Sequence, residues 1–342
     1  MTTQQPDATA RYRLTAAQTR ALAPLLTGRH APGPLDAIVD VAGIRVGHTT
    51  VTDGTSVRTG VTAVVPDQLD SRRLPANLAV GNGHGKLVGA TQLVELGELE
   101  TPILLTATLS TFRVADALVT WMLGRPGQQA TTTLNPVVGE CNDAGLSDIR
   151  LRPITPEHVF AALDGASAER PGEGAIGAGT GMSTMGFKGG IGTASRCATV
   201  GETGASVGVL ALTNFSGRLP IAGLPNPPWA GTVLEPEGNS CVLLVATDAP
   251  VDARQLGRIA RRAVYAMGPA GAEFAHGSGD YAIAFGTADP DRRLLPDRQL
   301  TPIFTATTEA TVAAIVHSLL AATGATSASG RVVPGLLDVW RP

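Results

Sequence analysis

The chain has 342 residues and a formal net charge of −3, with 43% hydrophobic and 16% charged residues. This composition provides enough apolar surface for one large core or two domains, and it excludes wholesale disorder. The small negative charge excludes a general electrostatic attraction to nucleic acid or to an anionic membrane surface.

The N-terminus lacks a basic region followed by an apolar run, and we find no run of about 18 apolar residues. We therefore expect no signal peptide, no membrane span and a cytoplasmic location. The three cysteines, Cys141, Cys197 and Cys241, form an odd set without a close pair. Their spacing argues against a disulfide framework and against a zinc site.

In chain order, the first 35 residues are polar, include a weakly amphipathic segment at 14–26 and end in Pro-Gly-Pro. We predict that they form an N-terminal arm before a single domain at 36–342. Apolar alternation or short apolar runs predict strands at 38–48, 59–65, 77–80, 102–106, 136–140, 205–212, 240–247 and 281–285. Helical spacing predicts helices at 87–96, 110–123, 155–163 and 307–322, and one after Pro250. Helices and buried strands along the whole length predict sheets in layers covered by helices.

The helix after Pro250 is the most clearly amphipathic. We predict Thr247 or Asp248 as its N-cap and Pro250 in its first turn. One face carries arginines that are typical of a solvated helix surface, with anion binding as the alternative (Arg254, Arg258, Arg261 and Arg262). The opposite face is apolar and is predicted to be buried (Leu256, Ile259, Ala260, Ala263 and Met267).

The segment 241–246 is wholly apolar and too short for a typical helix, so it predicts a strand buried on both faces. Ser240 lies at the start of this strand, directly after Gly-Asn. A serine at the end of a rigid strand is well placed to be a nucleophile, although a simple turn serine would have the same pattern.

Other polar residues stand in glycine-rich or apolar surroundings. The chain has only two lysines, Lys86 and Lys188, and both lie beside glycines. Lys188 forms a set with Ser240, the amide of Asn214, and the pair Ser278 and Asp280. The set contains a nucleophile (Ser240), an oxyanion donor (Asn214), a cation (Lys188) and a carboxylate (Asp280).

Two other interpretations are weaker. A Ser-His-Asp triad would need His84 or His276, and both lie in glycine loops with nothing in the sequence to join them to a serine. The segment 172–177 matches a dinucleotide-binding glycine pattern, but no strand precedes it and no helix follows it.

Longer motifs carry a resemblance to a known family. They are 40–48 (DVAGIRVGH), the loop 81–83 (GNG), 135–140 (NPVVGE), 177–182 (GAGTGM) with Lys188, 213–215 (TNF), 238–240 (GNS) with 245–250 (VATDAP), and 277–284 (GSGDYAIA). In this order, over residues 36 to about 340, they resemble the DmpA-type aminopeptidase family, which includes β-peptidyl aminopeptidases and, more distantly, nylon-oligomer hydrolase.

The resemblance implies an α/β fold, an αββα layered sandwich of the N-terminal-nucleophile-hydrolase type. It also implies that the precursor cuts itself between Asn239 and Ser240, giving pieces 1–239 and 240–342 that stay together. The Ser240 hydroxyl would be the nucleophile. Its freed α-amine, with a reference pKa of roughly 7.7–8.0, would be the general base.

The family match also implies roles for other residues. Asn214 would hold the oxyanion, with Lys188 assisting it or the proton chemistry, while Ser278 and Asp280 would orient the new amine. Glu140 corresponds to the carboxylate that binds the substrate's free amino terminus. Asn142 stands where relatives usually carry a tyrosine, which bears on substrate preference and rate.

We therefore expect a serine aminopeptidase or amidase that releases N-terminal residues from short peptides, amino-acid amides or esters, with β-peptides among the candidate substrates. The resemblance implies no metal or cofactor, and a homo-oligomer such as a tetramer of cleaved protomers. Two alternatives are an acyl transferase of the ornithine acetyltransferase type and a non-catalytic binding relative. The residues Ser240, Glu140 and the Ser278 and Asp280 pair argue against the transferase.

Overall fold

A computed structural model describes residues 11–201, 203–221, 223–224 and 240–342. In these residues the helices are α1 (Ala16–Leu26), α2 (Ala90–Glu95), α3 (Thr111–Leu123), α4 (Pro156–Asp164), α5 (Ala253–Ala270), α6 (Thr301–Leu320) and α7 (Leu336–Val339). The strands are β1 (Ile44–Asp53), β2 (Val57–Pro66), β3 (Leu74–Gly83), β4 (Glu98–Leu99), β5 (Ile103–Ala107), β6 (Val137–Cys141), β7 (Ser183–Thr184), β8 (Phe187–Lys188), β9 (Ile191–Val200), β10 (Thr203–Asn214), β11 (Ser240–Thr247), β12 (Gly279–Gly286), β13 (Ala325–Thr326) and β14 (Val332–Val333).

Most of the strands form two sheets. One has four strands in the order β1-β2-β5-β6, and the other has six in the order β4-β3-β12-β11-β10-β9. Strand β11 is antiparallel to β10 and parallel to β12. The short pairs β7-β8 and β13-β14 lie outside the two main sheets.

The apolar side chains form three clusters that correspond to three spaces between layers. The first lies between the six-stranded sheet and helices α5 and α6, and the second lies between the two sheets. The third lies between the four-stranded sheet and helices α3 and α4. Because strand side chains alternate between faces, each sheet contributes to two of these clusters. The predicted αββα arrangement is confirmed.

Strand β11 lies inside the six-stranded sheet, and all eight of its residues are buried. The prediction of a strand buried on both faces is therefore confirmed. Val242 and Leu244 face the other sheet, whereas Cys241 and Leu243 face helices α5 and α6. A continuous apolar run is what such a position requires, since neither face contacts water.

The start of α5 differs from the prediction. Asp252 is the N-cap, and its carboxylate accepts a hydrogen bond from the Gln255 backbone N–H at 2.7 Å. Neither Thr247 nor Asp248 caps the helix, and Pro250 precedes it. Asp252 outcompetes the earlier residues because Gln255 completes a capping box by accepting from the Asp252 backbone N–H. The apolar face predicted for this helix is buried, as expected.

The arginine face of α5 is partly engaged within the protein. Arg254 and Arg258 lie 2.7 and 3.0 Å from the exposed carboxylate of Asp297. The guanidinium of Arg262 lies over the Phe304 ring at 3.9 Å. These contacts fit the predicted surface role of the arginines.

Other segment predictions need correction. Residues 38–40 form a short 3-10 turn, so the first strand begins only at Ile44. Strand β9 was missed, because small and polar residues dilute its apolar pattern. The close approach of α6 explains one of its small residues: a Cβ on Gly192 would lie 1.9 Å from the Ala314 carbonyl oxygen.

Helix α6 is long and apolar enough to cross a membrane by length and composition alone. However, 78% of its most apolar 18-residue window is buried inside the protein. Burial of this kind is typical of a core helix of a layered domain, and α6 packs against α5 and against β9 and β10.

A buried network of charges connects the N-terminal segment to the six-stranded sheet. Arg196 on β9 is 3% exposed, and its guanidinium donates to the Asp36 carboxylate at 3.2 Å and to the Leu26 carbonyl oxygen at 3.0 Å. His317 on α6 lies 3.9 Å from the same carboxylate and 3.8 Å from Glu173. Burial lowers the pKa of His317, whereas the charges of Glu173 and Asp36 oppose that shift.

We expect Arg196→Met to lower the free energy of unfolding by about 3–5 kcal/mol, because it leaves the Asp36 carboxylate buried without its closest cation. Arg73→Met is the matched control, since Arg73 has a 54% exposed side chain and forms ion pairs with Glu98 and Glu100. Its expected cost is below about 1 kcal/mol. Urea unfolding of both variants measures the difference, and equal costs would contradict the importance of this network.

Candidate active site

Ser240 is the first residue of β11 and is 2% exposed. It is in register with Asn214, the last residue of β10, and with Gly279, the first residue of β12. The serine is thus held between two strand ends in the middle of the larger sheet. By alternation it shares the face of Val242, which is directed toward the other sheet.

Asn214 is held by two backbone groups from different segments. Its Oδ1 accepts a hydrogen bond from the Ser183 N–H at 3.0 Å, and its Nδ2 donates to the Asn142 carbonyl oxygen at 2.9 Å. These bonds define the orientation of the amide beside Ser240. A donor so fixed is suited to stabilising a developing oxyanion without reorganisation.

Lys188 is fully buried on β8 rather than exposed in a turn; the turn of this hairpin is at Met185 and Gly186. Its ammonium donates to the carbonyl oxygens of Gly179, Met182 and Gly189 at 3.0, 2.7 and 2.7 Å. Three acceptors match the three N–H groups of a charged ammonium. Burial lowers the pKa of Lys188 to about 7, and the positive charge of Arg58 contributes to this shift.

The Lys188 ammonium and the Asn214 amide contact the same peptide group. Lys188 donates to the carbonyl oxygen of Met182, and the N–H of the next residue, Ser183, donates to Asn214. A cation on the oxygen of a peptide polarises its N–H and strengthens the second hydrogen bond. The structure therefore brings Lys188 behind Asn214, where it can influence the amide through one peptide.

Ser278 and Asp280 form the pair that the sequence predicted. The Ser278 hydroxyl donates to Asp280 Oδ1 at 2.7 Å, and Asp280 Oδ2 is buried without a hydrogen-bond partner. Burial raises the pKa of Asp280 to about 6, and the bond from Ser278 opposes that shift. The two residues flank Gly279, which is in register with Ser240.

Glu140 lies near the end of β6 and is 2% exposed. Its Oε1 accepts from the Lys86 backbone N–H at 2.9 Å, and the Lys86 ammonium lies 3.5 Å from the same oxygen. Its Oε2 is buried without a hydrogen-bond partner. A buried carboxylate oxygen in this state is a strong acceptor for a cationic group of a ligand.

Asn142 contributes through its backbone. Its carbonyl oxygen accepts from Asn214, whereas its side-chain Oδ1 accepts from the Ala144 N–H at 2.9 Å. The sequence predicts Asn142 as a substrate-binding residue, and the structure shows that its side-chain oxygen is engaged in a local turn.

Two further residues near the site, Asp143 and Tyr281, are not among the site residues that the sequence predicts. Asp143 is 1% exposed, and neither carboxylate oxygen has a partner in hydrogen-bond geometry. Burial raises its pKa to about 7, a shift that the nearby Thr59 hydroxyl opposes and the charge of Glu140 reinforces. Tyr281 follows Asp280 on β12 and belongs to the cluster between the two sheets. The alternation of side chains along β12 is the sequence signal that points to this face.

The histidine alternative gains no support from the described residues. His84 and His276 are both exposed in their glycine loops, with ring centroids 6.1 Å apart. The segment 172–177 leads into a single 3-10 turn and not into a helix, so it lacks the dinucleotide-binding context. Asn239, the other residue of the predicted cleavage site, lies outside the described residues.

We expect Asp143→Asn to stabilise the fold at pH 8 by on the order of 2–4 kcal/mol and to leave stability near pH 4 unchanged. The pKa of Asp143 is raised from 3.8 to about 7, so the folded state binds the extra proton between these values. Wild-type stability should therefore fall as pH rises from 4 to 7. Urea unfolding at both pH values measures this, with the exposed Asp53→Asn as control; a variant that loses stability at pH 8 would contradict it.

Known proteins are similar to this chain over most of its length. The model of the family described as peptidase family S58 matches residues 36–333. The β-peptidyl aminopeptidase BapA of Sphingosinicella microcystinivorans is 36% identical over 343 residues, which cover 89% of this chain and 86% of that protein.

Two solved structures are also similar. A Burkholderia sp. β-aminopeptidase has a TM-score of 0.83 and 35% identity, covering 95% of this chain and 99% of that one. The L-aminopeptidase D-Ala-esterase/amidase of Ochrobactrum anthropi, described as a variant of the Ntn hydrolase fold, has a TM-score of 0.80 and 31% identity, covering 91% and 93%.

These matches extend over most of the chain and confirm the family and the fold that the sequence predicted. They favour neither the acyl transferase nor the non-catalytic relative. The chain belongs to peptidase family S58, and it is a hydrolase of the aminopeptidase type.

Proposed function

We propose that Ser240 is the nucleophile of this aminopeptidase and that it is freed by cleavage of the Asn239–Ser240 bond. The observation that carries the proposal is the position of Ser240 at the start of a wholly buried strand, in register with Asn214 and Gly279. The fixed amide of Asn214 and the pair Ser278 and Asp280 then flank it on both sides.

Self-cleavage would run in two steps. The Ser240 hydroxyl oxygen attacks the Asn239 carbonyl carbon and gives up its proton. The peptide C–N bond then breaks, and the leaving nitrogen takes up this proton in addition to its own hydrogen to become the α-amine of Ser240. Water then hydrolyses the ester between Asn239 and the Ser240 oxygen, which leaves a carboxylate on residue 239 and a free hydroxyl.

The same groups would then act on substrate. The α-amine accepts the hydroxyl proton as the oxygen attacks the substrate carbonyl, and Asn214 donates to the oxyanion. The proton passes to the leaving amine, and water hydrolyses the acyl-serine ester. Ser278 and Asp280 would orient the amine, while Lys188 would position Asn214 through the Met182–Ser183 peptide.

For the substrate, we propose a short peptide, amide or ester with a free amino terminus. The unpartnered Oε2 of Glu140 supports this, since a substrate ammonium would neutralise a buried carboxylate. The named activities of the relatives extend the candidates to β-peptides and to D-alanyl esters and amides.

The proposal includes a cytoplasmic homo-oligomer of cleaved protomers. Exposed apolar side chains near the start of α3 support an interface: Leu109 is 43%, Phe112 69% and Leu151 56% exposed. Apolar side chains of this size are depleted on fully solvated surfaces and enriched at interfaces.

We expect the intact mass of purified wild type to show two fragments split at 239/240. Ser240→Ala should remain one chain and have no peptidase activity. Ser206→Ala on β10 is the control and should be cleaved like wild type. A wild-type protein that stays whole yet hydrolyses peptides would exclude this mechanism.

We expect Glu140→Gln to reduce kcat/KM on a dipeptide amide with a free amine by about 10- to 100-fold, because a charge-assisted bond to the ammonium is lost. The preference of wild type for this substrate over its N-acetylated form should shrink accordingly. The exposed Glu98→Gln is the control. An unchanged preference in Glu140→Gln, with normal self-cleavage, would remove Glu140 from amine recognition.

A further inference from the structure

We propose that Tyr281 is a second substrate-binding residue, whose phenol borders the pocket that receives the substrate's amino terminus together with Glu140. The inference rests on the proposed function, because it adds a residue to the site where Glu140 would bind the substrate's amino group.

The first observation is the position of Tyr281 in the sheet. Tyr281 is in register with Val242 on the parallel neighbour strand, and both residues belong to the cluster between the two sheets. Ser240 lies two residues before Val242 and therefore on the same face. Strand rise and strand spacing put the Cα atoms of Tyr281 and Ser240 about 8 Å apart. This separation suits a residue that contacts the substrate's amino group while Ser240 attacks the neighbouring carbonyl.

The second observation is the space above Gly85. A Cβ built on Gly85 would lie 3.2 Å from Glu140 Oε1, 3.2 Å from Tyr281 Oη and 3.2 Å from Tyr281 Cε2. The carboxylate and the phenol thus border one small space, and their oxygens are no more than twice that distance apart. Glycine at position 85 leaves this space open.

The third observation is chemical complementarity. Within the described residues, no hydrogen bond joins Tyr281 to Glu140, and Glu140 Oε2 has no partner. An ammonium has three N–H donors and can bridge a carboxylate and a phenol oxygen. Burial raises the pKa of Tyr281, and the charges of Glu140 and Asp280 add to this shift, so the phenol stays neutral. A neutral phenol can accept from an ammonium and still donate elsewhere.

The test uses the self-cleaved wild type and Tyr281→Phe, which keeps the ring and removes only the hydroxyl. We expect KM for a dipeptide amide with a free amine to rise about 10-fold, with kcat little changed, because one bond to a charged group is lost. Cleavage at 239/240 should proceed normally, since that bond has no free amine beside it. Tyr265→Phe, at a 62% exposed tyrosine, is the matched control.

Gly85→Ala provides a second, independent variant. Its methyl group would occupy the space between Glu140 and Tyr281, so KM for the same substrate should rise while self-cleavage continues. Unchanged KM in both variants would overturn the assignment, as would a loss confined to kcat in Tyr281→Phe. If Glu140→Gln alone changes amine preference, only the role of Tyr281 fails. If neither Glu140→Gln nor Tyr281→Phe changes it, the proposed amine site fails.

Discussion

Complete burial of the strand Ser240–Thr247 is the constraint on which the rest of the structure depends. Its backbone groups can be satisfied only by neighbouring strands, so β10 pairs along one side and β12 along the other. The pairing brings Asn214 and Gly279 beside Ser240. Helices α5 and α6 cover one face of the six-stranded sheet, and the four-stranded sheet covers the other. The αββα order of layers thus buries both faces of the strand.

The buried charged groups near Ser240 differ in how fully the protein satisfies their hydrogen bonds. Lys188 is fully paired, with three carbonyl oxygens around its ammonium. By contrast, Glu140 and Asp280 each retain one buried oxygen without a hydrogen-bond partner. Leaving such oxygens unpaired costs free energy in the folded state. Under the proposed function, a substrate ammonium would pair with Glu140 and the α-amine of Ser240 with Asp280.

Much of this arrangement could be predicted from the chain, because its signals are local. The apolar run after Ser240 indicates a buried strand, and the spacing of apolar residues in α5 indicates its buried face. The pair Ser278 and Asp280 lies two residues apart, so one strand end holds both. The family motifs added the relation between distant segments, which periodicity cannot supply.

The failures have equally physical causes. The N-cap of α5 was misplaced because several residues before it could cap a helix, and only the reciprocal bonds of Asp252 and Gln255 distinguish among them. Strand β9 was missed because it packs through small residues against α6, and a glycine at such a contact has no hydrophobic signal. The burial of Lys188 does not follow from the sequence, because a lysine among glycines is also typical of an exposed turn.

The sequence by itself determined the family, the mixed α/β class, the buried strand behind Ser240 and the residues proposed for catalysis. Only the tertiary structure decided that Lys188 reaches Asn214 through the Met182–Ser183 peptide, and that Tyr281 and Glu140 border one space above Gly85. The reason is that local periodicity records which side of an element is buried. Which side chains meet across two sheets depends on strand order and register, and these are determined by long-range packing.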